Sequence, residues 1–188
     1  MLDTARNLVV AEGVDAVSLR RVARELGVTA PALYAHVDSR EDLLREVSHA
    51  EFEWFTRRDA DYDELQPLDR LRSYSRDYVR LAQERPNMFR LMVRYPPELF
   101  HADQFDAGST DTSLGHRVFR RRAQAIADAM AGGSLPTGDP FLMGLIAFTA
   151  VHGLAHFLLW QPPIDRAFQD ELIERHLDAV LHGLGCLG

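Results

Sequence analysis

The sequence predicts an all-α protein of about nine helices. Apolar residues recur at three- and four-residue steps through successive segments, which is the period of a helix with one buried face. Prolines and glycines separate these segments, and no alternating pattern typical of strands appears. With 188 residues, 46% of them hydrophobic, the chain is long enough for one sizeable core and a small second unit.

Residues 18–26 predict a short amphipathic helix near the N-terminus. Ser18 stands at the N-cap position, where a hydroxyl can accept a bond from a free backbone N–H group. The apolar face consists of Leu19, Val22, Ala23 and Leu26, with Arg20, Arg21, Arg24 and Glu25 outside. Gly27 ends this helix, because glycine adopts the left-handed conformation at little steric cost.

A second helix is expected to begin near Ala30. Pro31 is tolerated only in the first turn of a helix, so the start cannot lie much earlier. Leu33 and Val37 then point toward the core. The residues left to face outward are Thr29, Ala30, Ala32, Tyr34 and His36.

A third, longer helix is predicted from Arg40 to about Arg58. Ser39 and Asp42 have the spacing of a capping box, and Glu41 and Asp42 suit the positive end of a helix dipole. Two short helices joined by a glycine turn match the helix-turn-helix geometry, in which the second helix enters the major groove of DNA.

Five further helices are predicted beyond this unit. They run from Pro67 to before Pro86, from Asn87 to before Pro96, from Leu114 to about Met130, from 139 to 160, and from Ala167 to Leu184. Residues 101–113 have the composition of a surface loop.

Residues 141–160 are apolar over the length of a membrane span. Two histidines near the middle, His152 and His156, would be costly in hydrocarbon, and no arginine cluster flanks the segment. A helix that is apolar on all sides can instead be buried on all sides. We therefore expect the segment to pack on its own domain and on a second copy of the chain, and not in a membrane.

The stretch VSLRRVARELGVTAPALYAHVDSREDLL closely resembles the N-terminal domain of the tetracycline-repressor (TetR) family, over roughly residues 2–47. Val37 and Arg40 depart from it, since the family usually has phenylalanine and lysine there, and no basic arm precedes the first helix. The stretch AVHGLAHFLLW resembles the C-terminal subgroup named for a Trp-His-Gly motif. His152 and Gly153 match that motif, although no tryptophan immediately precedes them.

The resemblance implies a cytoplasmic transcriptional regulator, usually a repressor, that a small, largely apolar effector releases from a double-stranded DNA operator. It implies a helix-turn-helix DNA-binding domain over residues 1–47 and a helical ligand-binding and dimerisation domain over residues 48–188. The helices 139–160 and 167–184 would form a four-helix bundle with those of a second subunit. No cofactor and no catalytic residue is expected.

DNA contact is expected to be local, because the formal net charge is −7. Small and apolar side chains on the second helix suit contacts with thymine methyl groups, whereas no arginine there can reach a guanine edge. The other candidates lie around that helix and would position phosphates. The complete predicted DNA-binding set is Ser18, Arg20, Thr29, Ala30, Pro31, Ala32, Tyr34, His36 and Arg40.

The effector site is predicted from residue type alone, since methionine and phenylalanine fill adaptable apolar cavities. The candidates are Met88, Met92, Phe119, Met143, Phe148 and His152. His152 and His156 have metal-ligand spacing, but no carboxylate or thiol accompanies them, and no metal site is predicted. Two alternatives stay open: an architectural DNA-binding dimer without an effector, and a metal-assisted helical hydrolase built on that histidine pair.

Overall fold

The structure is a computed structural model that describes residues 1–97, 113–160 and 164–185. All regular structure in those ranges is helical, so the all-α prediction is confirmed. The helices are α1 (Leu2–Glu12), α2 (Leu19–Leu26), α3 (Ala30–Leu33), α4 (Arg40–Arg58), α5 (Pro67–Glu84), α6 (Pro86–Arg94), α7 (Leu114–Ala131), α8 (Pro140–Trp160) and α9 (Arg166–Gly185). Short 3-10 turns cover Val14–Ala16 and Asp59–Tyr62. The predicted loop over 101–113, apart from Ser113, lies outside the described residues.

Apart from α1 and the end of α3, the predicted helix ends are accurate to within two residues, and the differences follow from capping. The helix α3 ends at Leu33, so Val37, which was expected on its inner face, lies beyond the helix. Pro86 is already helical, because proline fits the first turn of a helix, where its missing N–H group costs no bond. The last helix begins at Arg166, because the Asp165 carboxylate accepts a bond from the Phe168 N–H group at 3.1 Å. In the same way, Asp139 caps α8 through the Phe141 N–H group at 2.8 Å.

Two compact units make up the chain. The first, called here the head, comprises Met1–Phe55 and Arg85–Pro97, and the second, called the body, comprises Thr56–Glu84 and Glu98–Gly188. The head therefore contains α6 as well as α1, α2, α3 and most of α4. The expected boundary at residue 47 separates a DNA-binding domain from a ligand-binding domain, whereas the two units described above are defined by packing. That boundary therefore stays a prediction.

The head has its own apolar core. Side chains of α1, α2, α3 and α4 are buried together with four from α6, and they include Leu8, Val22, Leu33, Leu43, Leu44, Met88, Phe89 and Leu91. Burial of this apolar surface is the main stabilising contribution to such a small unit.

The turn between α2 and α3 forms as its residue types predict. Ser18 accepts a bond from the Arg21 N–H group at 3.2 Å, which caps α2. Gly27 takes the left-handed conformation, with φ 69° and ψ 26°, and the Val28 N–H group donates to the Ala23 carbonyl at 3.0 Å. The left-handed conformation of Gly27 and the bond from Val28 to Ala23 fix the direction in which the chain enters α3.

Replacing Gly27 tests this turn. A Cβ there would meet nothing within 4 Å, so the whole cost of Gly27→Ala comes from the positive φ. We expect the free energy of unfolding of the head to fall by about 1 kcal/mol, measured by urea denaturation. Gly27→Asn is the control, because asparagine tolerates this conformation better. Equal losses for both variants would contradict the explanation.

The start of α4 is held by the predicted capping box. The Asp42 N–H group donates to Ser39 Oγ at 3.1 Å, and the Ser39 hydroxyl donates to the Asp42 carboxylate at 2.7 Å. The hydrogen bond from Ser39, and then the bond from Arg45, lowers the pKa of Asp42. The cap therefore keeps this carboxylate ionised beside the positive end of the helix dipole.

In the body, α5, α7, α8 and α9 pack around a separate core. Its buried members are Leu71, Ile126, Ala129, Leu135, Met143, Ala147 and Leu184. A Cβ on Gly144 would lie 3.4 Å from the Phe119 ring, so glycine lets α8 approach α7 closely. On the surface, Arg76 bonds Glu174 at 2.7 Å and joins α5 to α9.

Candidate functional site

The outer face of α3 is open, as expected of a DNA-reading helix. Leu33 and Val37 are only 3% and 7% exposed and anchor α3 to the head core, whereas Tyr34 is 58% exposed. Thr29, Pro31, Ala32 and His36 are exposed as well, and Ala30 is partly exposed. The face turned to solvent therefore carries small, apolar and hydroxyl groups, which suit thymine methyl groups and phosphate oxygens.

The arginines of α2 differ in how far the protein already neutralises them. Arg21 donates to the Glu12 carboxylate, with one bond at 2.8 Å, and to Glu25 at 3.2 Å. The bond to Glu12 raises the pKa of Arg21 and lowers the pKa of Glu12. By contrast, Arg20 and Arg24 are exposed. Arg20, next to the Ser18 cap, therefore presents more unbalanced charge than Arg21.

Arg40 is held by the head itself. Its guanidinium donates to the Val17 carbonyl at 2.7 Å and to the Val14 carbonyl at 2.8 Å. A third bond joins it to Glu41 at 3.1 Å. These contacts fasten the start of α4 to the turn before α2, so the structure gives Arg40 a positioning role, and its predicted phosphate contact would have to use its remaining N–H groups.

The six predicted effector residues fall into both compact units. Met88 and Met92, 0% and 2% exposed, belong to the core of the head. Phe119, Met143, Phe148 and His152 belong to the body. There, the Phe148 ring lies 6.0 Å from the Phe119 ring and 5.4 Å from the His152 ring, centroid to centroid. Met143 lies in the body core and is 5% exposed.

Two polar residues beside this cluster were missed at the level of sequence. The Tyr78 hydroxyl lies 2.7 Å from Nδ1 of His152. Arg122 is only 6% exposed and donates to the Val118 carbonyl at 2.7 Å, with its guanidinium carbon 5.6 Å from the centre of the Tyr74 ring. A signal was present for Arg122, since it falls on the same helix face as Phe119 and Ile126.

Burial determines the protonation states of Tyr78 and His152. It raises the pKa of the Tyr78 phenol, while the charge of Arg122 acts in the opposite direction. Burial, and then the neighbouring His156, lowers the pKa of His152. Near neutral pH the pair is therefore an uncharged phenol and an uncharged imidazole, and Nδ1 of the imidazole can accept a hydrogen bond from the phenol O–H group.

A small cavity lies against these residues, between α5, α7 and α8. Its volume is about 10 Å³, which is room for about one water molecule. The walls are formed by Leu71, Tyr74, Ser75, Tyr78, Arg122 and Phe148, together with Gly144, Ala147 and Val151 of α8. The lining of the cavity thus combines aromatic rings with one guanidinium and the three hydroxyl-bearing residues Tyr74, Ser75 and Tyr78.

Models of known protein families match both the N-terminal and the C-terminal part of the chain. Residues 1–47 match the family model described as bacterial regulatory proteins, tetR family. Residues 71–180, more than half of the chain, match the model described as tetracyclin repressor-like, C-terminal domain. The chain belongs to the TetR family. It is a DNA-binding transcriptional regulator by family and fold, as the helix-turn-helix pattern indicated.

Solved structures share the TetR fold along nearly the whole chain. A protein of unknown function from Rhodococcus sp. RHA1 is 24% identical, with a TM-score of 0.73, over 98% of this chain and 93% of its own. A TetR/AcrR regulator from Thermobifida fusca is 19% identical, with a TM-score of 0.66, over 97% and 94%. RolR in complex with resorcinol is 18% identical, with a TM-score of 0.69, over 98% and 85%. None of the curated proteins matches the chain.

The match to the C-terminal model leaves the finer assignment open. Its description does not name the Trp-His-Gly subgroup, so that part of the resemblance stays a prediction.

No group of three or more His, Cys, Asp or Glu side chains within residues 1–97, 113–160 and 164–185 could hold a metal ion. His152, one of the two histidines considered for a metal, has its Nδ1 atom engaged with Tyr78.

One side of α8 is apolar and exposed in this TetR-family chain. Leu142, Ile146, Phe157 and Trp160 are 54%, 42%, 46% and 83% exposed, and Thr149 and Gly153 lie between them on the same face. The helix is long and apolar enough to cross a membrane, and 33% of its most apolar 18-residue stretch is buried in the body. One such helix is weak evidence for a membrane span, because core helices of soluble proteins meet the same criterion.

Proposed function

We propose that the chain is a homodimeric repressor that binds an operator through α3 and is released by a small, largely apolar effector. The observation that carries this proposal is the open outer face of α3 on the packed helical head. A helix held by Leu33 and Val37, with Tyr34 and its neighbours turned to solvent, is built to present side chains to another molecule. We place the protein in the cytoplasm, where its DNA is.

The exposed stripe on α8, Leu142, Ile146, Phe157 and Trp160, supports the dimer. Contiguous apolar surface of this kind is uncommon on monomers and marks an interaction site. The small residues between the large ones, Thr149 and Gly153, allow a partner helix to approach closely. A second copy of α8 and α9 fits this face better than lipid does, because His152 and His156 lie on the same helix. The partner interface would cover residues 139–160 and 167–184.

The proposed release step draws on a structure of the same fold and on the aromatic cluster of the body. RolR, which shares the fold, has a crystal structure in complex with resorcinol, a small aromatic molecule. In this chain, Phe119, Phe148 and His152 form an aromatic cluster that offers apolar surface to a small aromatic molecule. An effector that prefers the DNA-incompetent arrangement by about 1–3 kcal/mol would lower operator affinity roughly 5- to 150-fold.

A second function, an architectural DNA-binding dimer without an effector, is favoured by the size of the body cavity. About 10 Å³ holds one water and no aromatic ring, so an effector has to open the packing between α5, α7 and α8.

Selection of bound sequences from random duplex DNA tests both functions. A single palindromic site supports the repressor, whereas binding without sequence preference supports the architectural protein. No binding at all would overturn both.

The neighbouring arginines of α2 provide a matched test of the DNA contact. We expect Arg20→Ala to weaken binding to every sequence and to lower the slope of log affinity against log salt by about 1, since one phosphate contact is lost. We expect Arg21→Ala to change that slope much less, because Glu12 and Glu25 already balance its charge. Fluorescence anisotropy over a range of salt concentrations measures both. Equal slopes for the two variants would contradict the assignment.

A further inference from the structure

The outward side of the DNA-reading segment is apolar over its whole length. Val28, Ala32 and Ala35 follow one another at steps of four and three residues, and all three are exposed, as is Pro31. Val28 and Ala35 stand outside the predicted DNA-binding set. These four residues, called here the outer stripe, lie in the part of a helix-turn-helix unit that enters the major groove.

The segment that carries the outer stripe lacks the side chains that read base edges by paired hydrogen bonds. Arginine or lysine reads guanine, asparagine or glutamine reads adenine, and aspartate or glutamate reads cytosine. None of these six residue types occurs in residues 27–37, all of which the structure describes. The polar side chains of that range are Thr29, Tyr34 and His36, and none of them has the two-pronged shape of an amide or a guanidinium.

The backbone of the segment does not supply the missing donors. The Ala32 N–H group donates to the Thr29 carbonyl at 3.0 Å. The His36 N–H group donates to the Leu33 carbonyl at 2.9 Å, and the Val37 N–H group donates to the same carbonyl at 3.1 Å. These main-chain donors are used inside the segment, so its outer surface consists largely of methyl and methylene groups.

The arginines around the segment are engaged elsewhere or lie on another helix. Arg40 donates to two carbonyls of the head, and Arg45 donates to the Asp42 carboxylate at 2.5 Å. Arg20 and Arg24 belong to α2, the first helix of the motif, which crosses the phosphate backbone. The base edges are therefore left to the outer stripe.

We propose that the operator is recognised mainly through C5-methyl groups of thymine that pack against the outer stripe, and that 5-methylcytosine can replace thymine there. This inference rests on the proposed function, and it narrows the operator to a site with thymines in each half. Thymine is the DNA base with a methyl group on its major-groove edge. An apolar surface gains free energy by covering that group, whereas it gains nothing comparable from the other base edges.

Removal of the methyl group alone tests the proposal. In the site selected from random DNA, symmetry-related thymines are replaced by deoxyuridine, which keeps the O4 acceptor, and the affinity of the full chain is measured by fluorescence anisotropy. We expect the affinity to fall roughly 10- to 100-fold at one or more such pairs, since one buried methyl group accounts for about 3- to 10-fold. Thymines outside the bound sequence are the control. A site that binds equally well with uracil at every position would overturn the proposal, because an A·T preference would then reflect groove shape.

The methyl group can also be restored on a different base. The sensitive thymine pair is changed to cytosine, with guanine opposite, and the duplex is prepared with and without methylation at C5. We expect 5-methylcytosine to bind roughly 10- to 100-fold more tightly than cytosine, because the same two methyl groups return to the stripe. Equal affinities for the two duplexes would overturn the proposal.

A pair of protein variants locates the methyl contact on the stripe. We expect Ala32→Gln to lower the ratio of thymine to uracil affinity by roughly threefold or more, because an amide takes the place of an apolar contact. Ala50→Gln is the matched control, since it adds the same side chain at an exposed position of α4, and it should leave the ratio unchanged. Both positions are exposed, so neither change disturbs the core of the head. An unchanged ratio in Ala32→Gln would overturn the assignment to the outer stripe.

Failure of this inference is distinguishable from failure of the proposed function. If a palindromic site is selected and uracil serves as well as thymine, the regulator stands and the methyl readout is wrong. If no DNA sequence is selected, the proposed function fails and this inference fails with it.

Discussion

Phe157→Arg is expected to convert the protein to a monomer and to lower its operator affinity roughly 10²- to 10⁴-fold. The large effect follows from the proposed dimer, in which the second head binds at the high effective concentration set by the first. Phe157 is 46% exposed on the apolar face of α8, so an arginine there costs the isolated chain little. In the proposed interface, however, the new charge would be buried without a partner.

Two measurements check this result. Sedimentation velocity at micromolar concentration reports the change of mass, and fluorescence anisotropy with the selected operator reports affinity. Ala131→Arg is the control, because it adds the same charge at an exposed position on α7. A dimeric Phe157→Arg protein would refute the proposed interface. A monomer that binds the operator as tightly as the unmodified chain would refute the requirement for two heads.

The predictable parts of this molecule are those that local chemistry decides. Ser18, Gly27 and the Ser39–Asp42 pair act within three or four residues, so both ends of α2 and the start of α4 follow from the sequence. The division of α3 into a buried and an open face follows in the same way, because Leu33 and Val37 are one turn apart.

The unpredictable parts depend on residues far apart in the chain. Tyr78 and His152 meet across 74 residues, and nothing near Tyr78 in sequence indicates a histidine partner. Arg122 stands in a run of arginines, where solvent exposure is the natural expectation, yet it is the member that turns inward. Met88 and Met92 were assigned to a ligand site by residue type, and the structure shows both in the core of the head.

Glu51 is the clearest case of a long-range polar contact. It lies on the buried face of α4, 2% exposed, and receives Arg6 of α1 at 3.0 Å and Arg85, which precedes α6. These partners are 45 and 34 residues away. Together with the bond from the Ser48 hydroxyl to the Tyr95 carbonyl at 2.7 Å, this triad fastens α6 to the rest of the head.

We expect Glu51→Gln to destabilise the head by roughly 2–3 kcal/mol. Removing one partner of a buried ion pair costs about 3–5 kcal/mol when the remaining charge cannot reach water. Here the cost is smaller, because the Arg6 and Arg85 side chains are 40% and 23% exposed and can turn outward. The two arginines would still lose their shared counter-charge, so the attachment of α6 should weaken more than the fold of α2 and α3.

Fluorescence can assign this loss to the head. The chain has two tryptophans, and in a Trp160→Phe background only Trp54 remains, with the Arg85 guanidinium 5.6 Å from its ring centre. Urea unfolding followed at Trp54 should shift to lower concentration in Glu51→Gln, whereas Glu46→Gln, an exposed carboxylate on the same helix, should leave it in place. An unchanged midpoint for Glu51→Gln would mean that apolar contacts of Met88, Phe89 and Leu91 alone hold α6 in the head, and that the buried triad contributes nothing net.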